Sequence, residues 1–301
     1  MRLNRYKIIM LMVVLSLAGV FIVIFSAGER TKVESQQKNI HLNRYYHFTQ
    51  LMRDPFVEVR LSRYRSMFDL TSQSVLILEP YGKKAERLFF FFHGMSGDCG
   101  DGVIMRDLVK GTNAKVISMG GRGPSWVSDA FISDANQVIK KNLGNYGNYY
   151  LVGVSMGGTQ VLSLAGLLPE KLRNSILGII ALIPGSDLLA IAKGSSSQGV
   201  KKTLIASVGE DVSKLKQRSP HSLICKYKVN LPFIIFYNEN DSTLLSKNLE
   251  TFINELRIDH PVSVFSAPGK HDFTYGNIDY KKLFDELGKN SIENKRLPME
   301  N

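Results

Sequence analysis

Ser155 stands between glycines directly after an apolar segment, in the run Gly153-Val154-Ser155-Met156-Gly157. A serine in an ordinary loop needs no glycine beside it. On a very sharp strand-to-helix turn, by contrast, a Cβ at either flanking position would collide with the neighbouring backbone. The pattern G-x-S-x-G after a strand therefore predicts that Ser155 is a nucleophile and that Gly153 and Gly157 shape its turn. The alternative is a glycine-rich turn that carries an incidental serine.

A serine hydroxyl is a weak nucleophile and needs a general base, which in proteins is most often a histidine. The chain contains 6 histidines. His271 follows the segment VSVFSAPGK, which begins as a strand, so the loop after that strand can bring its imidazole over Ser155. We predict that His271 is the base. The alternative is a surface-loop histidine between Lys270 and Asp272.

A catalytic histidine is oriented by a buried carboxylate. The segment FIIFYNENDSTLL offers Glu239 and Asp241 just after an apolar strand. We predict Asp241 as the acid and keep Glu239 as the second choice. Because Asp241 directly precedes a predicted helix, its alternative role is to cap that helix.

These candidates need a scaffold that brings the ends of several strands together. Apolar segments with the pattern of buried strands occupy 75–78, 88–92, 114–119, 149–154, 176–183, 233–237 and 262–265, and helical patterns occupy 129–142, 159–168, 243–256 and 280–289. Strands that alternate with helices predict an α/β fold with a parallel sheet covered by helices on both faces. Reactive groups in such sheets lie on loops at the carboxyl ends of strands. Each candidate residue occupies such a loop.

The order Ser, Asp, His, with each residue after a strand, resembles the α/β-hydrolase superfamily. The resemblance rests on HGMSG, GVSMGG, NENDSTL and GKHDF in that order, and it spans the chain from about 75 to the final helix. It implies an α/β-hydrolase fold with an eight-stranded, mostly parallel sheet, and hydrolysis through a covalent acyl-enzyme. It also implies an oxyanion hole made by the backbone N–H groups of Met95 and Met156, a structural role for His93, and no metal or organic cofactor.

The amino-terminal residues predict a membrane anchor. An uncharged run over 8–27 follows Arg2, Arg5 and Lys7. A helix of this length, at about 1.5 Å per residue, spans the hydrocarbon core of a bilayer, about 30 Å thick. The cations predict a cytoplasmic amino terminus and a catalytic domain on the outer side, periplasmic or extracellular. A signal peptide that is cleaved after Ala18 is the alternative.

The predicted organisation has three parts. The anchor or signal peptide covers 1–27, a polar stalk covers 28–55, and the α/β-hydrolase domain covers 56–301. Within this domain, about 185–230 lies between two predicted strands and mixes apolar pieces with glycine and serine. We predict that it forms a small cap of short helices that selects the substrate.

Charge and cysteine content exclude several classes of function. The formal net charge is +11, but the cations are spread along the chain without a block of like charges, so no nucleic-acid partner is predicted. A basic solvated surface explains the surplus, and a mild attraction to anionic lipids is the alternative. Cys99 and Cys225 are too few for a disulfide scaffold and fit no zinc pattern, and their pairing stays open.

Two loops near the predicted site carry charge. Arg122 follows the strand over 114–119, where it is a candidate to bind a substrate carboxylate or phosphate, or to tie down its own loop. The loop 97–102 carries two aspartates but lacks the oxygen ligands of a calcium site, so no metal is predicted.

These features predict a membrane-anchored serine hydrolase that cleaves a carboxylic ester, with a small-molecule or lipid ester as its substrate. A peptidase, a thioesterase or an acyltransferase that uses the same residues is one alternative. A binding protein that has the hydrolase fold but no turnover is the other.

Overall fold

A single sheet runs through the part of the chain that the computed structural model describes, residues 55–144, 146–271 and 279–293. Its strands are β1 Val57–Arg65, β2 Ser72–Pro80, β3 Arg87–Phe92, β4 Ala114–Met119, β5 Tyr149–Val154, β6 Ile176–Leu182, β7 Phe233–Asn238 and β8 Val262–Ala267. Their order across the sheet is β1-β2-β4-β3-β5-β6-β7-β8. β2 is antiparallel to both of its neighbours, and the remaining pairs are parallel. The predicted eight-stranded, mostly parallel sheet is confirmed.

The helices occupy the connections between strands. They are α1 Arg106–Thr112, α2 Asp129–Leu143, α3 Met156–Leu167, α4 Glu170–Asn174, α5 Leu188–Gly194, α6 Gln198–Val208, α7 Val212–Arg218, α8 Ser246–Asp259 and α9 Tyr280–Glu293. Short 3-10 helices cover Cys99–Met105 and Pro220–Lys226. The segment from α5 to the second 3-10 helix lies between β6 and β7, in the range 185–230 of the predicted cap, and we refer to it as the cap.

The strand cores are apolar on both faces because helices cover both sides of the sheet. The four phenylalanines of β3 are at most 1% exposed. Every residue of α3 from Met156 to Gly166 is also buried. A central helix without a polar face needs apolar neighbours all round. It therefore fixes the positions of the strands and of the cap that contact it.

β1 is the strand that the apolar pattern did not predict. Its sequence VEVRLSRYR alternates apolar and polar residues. Only Val57 and Val59 are buried, and the other side chains are partly or fully exposed. It lies at the edge of the sheet and pairs only with β2, so only part of each face is covered. An edge strand of this kind lacks the continuous apolar run on which the prediction relied.

The helix predicted at 243–256 begins later, at Ser246. Leu245 has a left-handed backbone with φ 62°, which interrupts the helix before that point. The Asp241 carboxylate accepts hydrogen bonds from Thr243 N and Leu244 N, so it caps a turn that precedes the helix. Asp241 is therefore not the cap of α8 itself.

The predicted anchor at 1–27 and stalk at 28–55 lie outside the described residues, apart from the final stalk residue. Within the described part of the chain, none of the helices has the length and apolar character needed to span a bilayer.

Candidate active site

Ser155 is the single residue between the end of β5 and the start of α3. Its backbone has φ 54° and ψ −116°, a conformation that L-residues rarely adopt. Such strain costs on the order of 1–3 kcal/mol and persists only where the surrounding structure imposes it. Ser155 N donates to Leu182 O of β6 at 2.8 Å, which ties the turn to the neighbouring strand.

The flanking glycines allow two backbone segments to approach each other closely. A Cβ at Gly153 would lie 2.1 Å from Gly157 O, and a Cβ at Gly157 would lie 2.0 Å from Phe92 O. Both obstacles are backbone atoms, which cannot move aside as a side chain can. Gly153 and Gly157 therefore stand where the predicted turn requires them.

A continuous hydrogen-bonded line joins the three side chains that the sequence singled out. Ser155 Oγ lies 2.8 Å from His271 Nε2, and His271 Nδ1 lies 2.6 Å from Asp241 Oδ2. Each residue follows a different strand, β5, β8 and β7 respectively. With the Nδ1–H tautomer, His271 donates to Asp241 and presents a lone pair to the serine hydroxyl. The arrangement suits the removal of a proton from Ser155 Oγ.

Both oxygens of the Asp241 carboxylate have partners, and the residue is only 5% exposed. Oδ2 faces His271, while Oδ1 accepts from Thr243 N at 2.8 Å and Leu244 N at 3.0 Å. These N–H donors fix the orientation of the buried carboxylate. Turn capping and the contact with His271 are thus roles of different oxygens of the same side chain.

The loop that carries His271 is held by the loop after β7. Asn238 Nδ2 donates to Lys270 O at 2.6 Å, and Asn240 N donates to Gly269 O at 3.1 Å. Gly269 has φ 143°, a conformation open to glycine. Asn238 is only 4% exposed, so its amide is a buried clamp one residue before His271. Sequence reasoning missed Asn238, and its place at the carboxyl end of a strand was the available signal.

Glu239, the second choice for the acid, does not contact His271. Its carboxylate accepts a hydrogen bond from Ser266 Oγ at 2.9 Å, and its backbone N–H donates to Ala267 O. Both residues lie beyond the end of β7, in a turn that is closed by a hydrogen bond from Asp241 N to Asn238 O at 3.2 Å, so strand alternation does not place them on one face. Only Asp241 is brought to the histidine.

Met95 and Met156 are the predicted oxyanion donors. Met156 opens α3 directly after Ser155, and Met95 lies in the loop after β3. Among the described residues, the backbone N–H of neither methionine has a hydrogen-bond acceptor. N–H groups at a helix start and in a tight loop are well suited to bind a developing negative charge.

His93 shapes the loop that carries Met95. The histidine is 2% exposed, and its ring nitrogens lie 2.6 Å from Gly94 O and 2.9 Å from Gly120 O. It thereby joins the loop after β3 to the loop after β4. Its ring contacts backbone carbonyls and not Ser155, which agrees with the structural role that the resemblance implied.

Polar side chains of the cap, which the sequence analysis did not single out, contact the loops that carry the site residues. Thr203 Oγ1 of α6 accepts from Trp126 Nε1 at 3.0 Å and lies 3.1 Å from Met95 Sδ. Ser196 of the cap also pairs with Ser242, next to Asp241, through its backbone N–H and its hydroxyl. The cap is therefore joined both to the loop of the predicted oxyanion donor and to the loop of the acid.

Arg122 is engaged away from these residues. Its guanidinium binds Asp134 Oδ2 at 2.6 Å, the Asp69 carboxylate at 2.6 and 2.9 Å, and Ser66 Oγ at 2.7 Å. The hydrogen bonds from Arg122, followed by the one from the Thr71 hydroxyl, hold the pKa of Asp69 well below its usual range. Arg122 also has a left-handed backbone with φ 62°. The geometry favours the alternative in which this arginine ties down its loop.

The cysteines take no part in the site. Cys99 is buried and Cys225 is exposed, and both are free thiols. Burial is the main reason that the pKa of Cys99 rises to about 11, so its thiolate is scarce at neutral pH. In the described ranges, no group of three or more His, Cys, Asp or Glu residues is placed to hold a metal ion.

Solved structures share this architecture at low sequence identity. Esterase B of Lactobacillus rhamnosis is 15% identical, with a TM-score of 0.64 over 88% of this chain and 96% of its own. S-formylglutathione hydrolase of Staphylococcus aureus is 15% identical, with a TM-score of 0.58 over 78% of this chain and 98% of its own. Acylaminoacyl peptidase of Pyrococcus horikoshii is 14% identical, with a TM-score of 0.59 over 85% of this chain and 44% of its own.

These comparisons show that the chain has the α/β-hydrolase fold. The chain spans less than half the length of the acylaminoacyl peptidases that it matches. No protein-family profile matches the sequence, and no curated protein is similar to it in sequence.

The close backbone approach at Gly157 predicts a stability effect. Gly157→Ala forces a Cβ against Phe92 O, so we expect the free energy of unfolding to fall by about 3 kcal/mol, as for a strongly overpacked core. Gly288→Ala is the matched control, because Gly288 lies in α9 with no atom near its Cβ position. Urea unfolding followed by circular dichroism measures both. Equal midpoints for the two variants would contradict the steric argument.

The engagement of Arg122 predicts a structural role. Arg122→Ala leaves the Asp134 carboxylate, 1% exposed, without its cation, so we expect a loss of about 3 kcal/mol in the free energy of unfolding. Arg65→Ala, an exposed arginine on β1, is the control and should change stability by less than about 0.5 kcal/mol. Thermal unfolding compares the two. An unchanged midpoint for Arg122→Ala would return Arg122 to the list of candidate substrate contacts.

Proposed function

We propose that this protein is a serine hydrolase that cleaves a carboxylic ester, with Ser155 as nucleophile, His271 as base and Asp241 as the acid that orients it. The observation that carries the proposal is the hydrogen-bonded line from Ser155 Oγ through the His271 imidazole to the buried Asp241 carboxylate. Its members come from positions 116 and 30 residues apart in the chain, so local folding alone does not explain their meeting.

In the first half-reaction, Ser155 Oγ attacks the ester carbonyl carbon while His271 Nε2 takes the hydroxyl proton. Asp241 stabilises the imidazolium that results. The carbonyl oxygen becomes an oxyanion, which the N–H groups of Met95 and Met156 bind, and each such donor contributes about 3 kcal/mol in the transition state. The tetrahedral intermediate collapses when His271 returns the proton to the leaving alcohol. The acyl group is then bonded to Ser155 Oγ.

In the second half-reaction, water takes the place of the alcohol. His271 Nε2 removes a proton from the water as it attacks the acyl carbon, and the second tetrahedral intermediate uses the same N–H donors. Collapse of this intermediate returns the proton to Ser155 Oγ and releases a carboxylic acid. Every step uses side chains and backbone groups of this chain, so the sequence of steps requires no cofactor.

The ester class is supported by the extent of the structural matches. Esterase B and this chain cover each other almost completely. The S-formylglutathione hydrolase, whose named substrate is a thioester, is also covered over nearly its full length and supports the thioesterase alternative. The acylaminoacyl peptidases match over less than half of their length. We therefore propose a small-molecule or lipid ester as the substrate.

We further propose that the domain is anchored to a membrane by a helix over 8–27, with its amino terminus in the cytoplasm and the catalytic domain on the outer side. The support comes from the sequence, in which an uncharged run long enough to span a bilayer follows Arg2, Arg5 and Lys7.

The catalytic assignment predicts a pattern of lost activity. Ser155→Ala and His271→Ala should each lower the rate of ester hydrolysis by at least about 10⁴-fold, and the double variant should lose no more, because the residues act as one unit. Asp241→Asn should lose about 10⁴-fold, since its amide favours the wrong tautomer of His271. The measurement is the initial rate on p-nitrophenyl esters of increasing chain length, together with labelling by a fluorophosphonate.

Glu239→Gln is the matched control, because Glu239 shares the loop of Asp241 without contacting His271. It should retain the full rate. A loss in Glu239→Gln with full activity in Asp241→Asn would reverse the assignment of the acid. Fluorophosphonate labelling of Ser155 without turnover of any ester would point to a peptide, a thioester or an acyl acceptor other than water, and no labelling would favour a binding protein.

The anchor predicts a fractionation result. The full-length chain should sediment with membranes and resist carbonate extraction, and protease on the outer side should digest its domain. In a variant with Leu17→Arg and Ala18→Arg, each arginine costs about 3 kcal/mol at the centre of the span, so membrane insertion should fail. A soluble product that begins at Gly19 would instead show a cleaved signal peptide.

A further inference from the structure

The hairpin between β1 and β2 exposes three large apolar side chains at its tip. Met67 is 75% exposed, Phe68 is 54% exposed and Leu70 is 67% exposed. Large apolar residues this close together and this exposed usually mark a surface that another body covers. We call these three residues the tip.

The loop that carries the tip is held in one conformation. Leu70 N donates to Ser66 O and Ser66 N donates to Thr71 O, both at 2.9 Å. Asp69, the acidic residue of the loop, is bound by Arg122 through two hydrogen bonds. The apolar side chains are therefore presented by a rigid loop whose own negative charge is paired.

A basic cleft lies beside the tip. Its volume is about 280 Å³, it runs between the β1-β2-β4 part of the sheet and α2, and its cationic lining is Arg60, Arg63, Lys115 and Lys141. Glu79 pairs with Lys115 at 2.5 Å and with Arg60 at 3.8 Å. Within the described part of the chain, neither Arg63 nor Lys141 has a carboxylate within 4.0 Å, and both are exposed. The cleft therefore has positive charge to offer to a ligand.

Gln137 joins the cleft to the tip. Its side chain lines the cleft, accepts a hydrogen bond from Met67 N at 2.8 Å and donates one to Arg65 O at 2.8 Å. The apolar and the cationic groups thus form one continuous patch, which we call the docking surface.

We propose that the docking surface binds the face of an anionic lipid bilayer, with Met67, Phe68 and Leu70 entering the headgroup region while Arg63 and Lys141 contact lipid phosphates. Such a membrane presents anionic headgroups above an apolar acyl-chain region. Exposed cations that flank apolar side chains match these two layers in turn.

The topology gives this contact a consequence for the site. β1 and β5 run in the same direction, because β1 and β4 are each antiparallel to β2 and β4, β3 and β5 are mutually parallel. The tip follows the carboxyl end of β1 and Ser155 follows the carboxyl end of β5, so both lie at the same end of the strands. Four strand spacings of about 4.8 Å separate β1 from β5, about 19 Å in all. Docking would turn the end of the sheet that carries Ser155 toward the bilayer. The docking itself does not depend on the proposed catalysis.

The test uses the full chain with Cys225→Ser, so that a cysteine placed at the surface carries an environment-sensitive dye while buried Cys99 does not react. The dye is attached at Met67→Cys, and at Val229→Cys as control, because Val229 is equally exposed at 76% and follows the cap, distant from the hairpin. Each protein is reconstituted into vesicles of phosphatidylcholine alone or of an equimolar mixture with phosphatidylglycerol. We expect a blue shift at 67 in the anionic vesicles only, and none at 229.

Charge removal tests the cleft. Each cation near an anionic surface changes binding about fivefold, so the double variant Arg63→Gln with Lys141→Gln should lower the ratio of docked to undocked protein about 25-fold. Lys282→Gln on α9 is the control and should leave the ratio unchanged. Circular dichroism verifies that each variant is folded.

Two results would overturn the proposal. One is water-like emission at 67 on both kinds of vesicle, and the other is the same shift at 67 and 229. A shift at 67 that is equal on neutral and anionic vesicles would overturn the role of the cations. Hydrolysis of a soluble ester, measured on the same samples, is expected to be normal in the charge variants. Failure of docking is thereby distinguished from failure of the catalytic proposal.

Discussion

The close approach of backbone to backbone around Ser155 is the constraint on which the rest of the structure depends. The start of α3 lies so near to β3 and β5 that no Cβ fits at Gly153 or Gly157. This contact forces Ser155 into a strained conformation and points the amino end of α3 toward the loop edge of the sheet. It also buries α3 almost completely, so the apolar character of this helix and of its neighbours follows from the geometry of one turn.

The remaining members of the site depend on polar contacts between loops that follow different strands. Asp241 is fixed by backbone donors from its own turn, and Asn238 clamps the loop that carries His271. The order β5-β6-β7-β8 brings these loops to one edge, and the hydrogen bonds between them set the distances from serine to histidine and from histidine to aspartate. A shift of either loop would weaken the hydrogen bonds of His271 to Asp241 and to Ser155, because hydrogen bonds weaken steeply with distance and angle.

The net charge of +11 does not distinguish the cations that are paired within the protein from those that remain exposed at its surface. Arg122 is enclosed by two carboxylates and a serine hydroxyl, so its charge stabilises the hairpin loop and is not presented to a ligand. Arg63 and Lys141, by contrast, keep their charge at the surface. The rigid loop that Arg122 holds is the one that exposes Met67, Phe68 and Leu70. A partly buried ion-pair network therefore holds the loop that exposes these apolar side chains.

The sequence by itself determined the parts that depend on neighbouring residues. Continuous apolar runs predicted seven of the strands, and G-x-S-x-G predicted the turn at Ser155, because steric conflict and alternation act over a few positions. The tertiary structure decided the rest. In the structure, β1 is an edge strand and α8 begins at Ser246. His271 contacts Asp241 and not Glu239, and Arg122 is paired with carboxylates. Each of these outcomes depends on a partner that is distant in the chain or on how much of a face is covered, and the spacing of residues along the sequence does not contain that information.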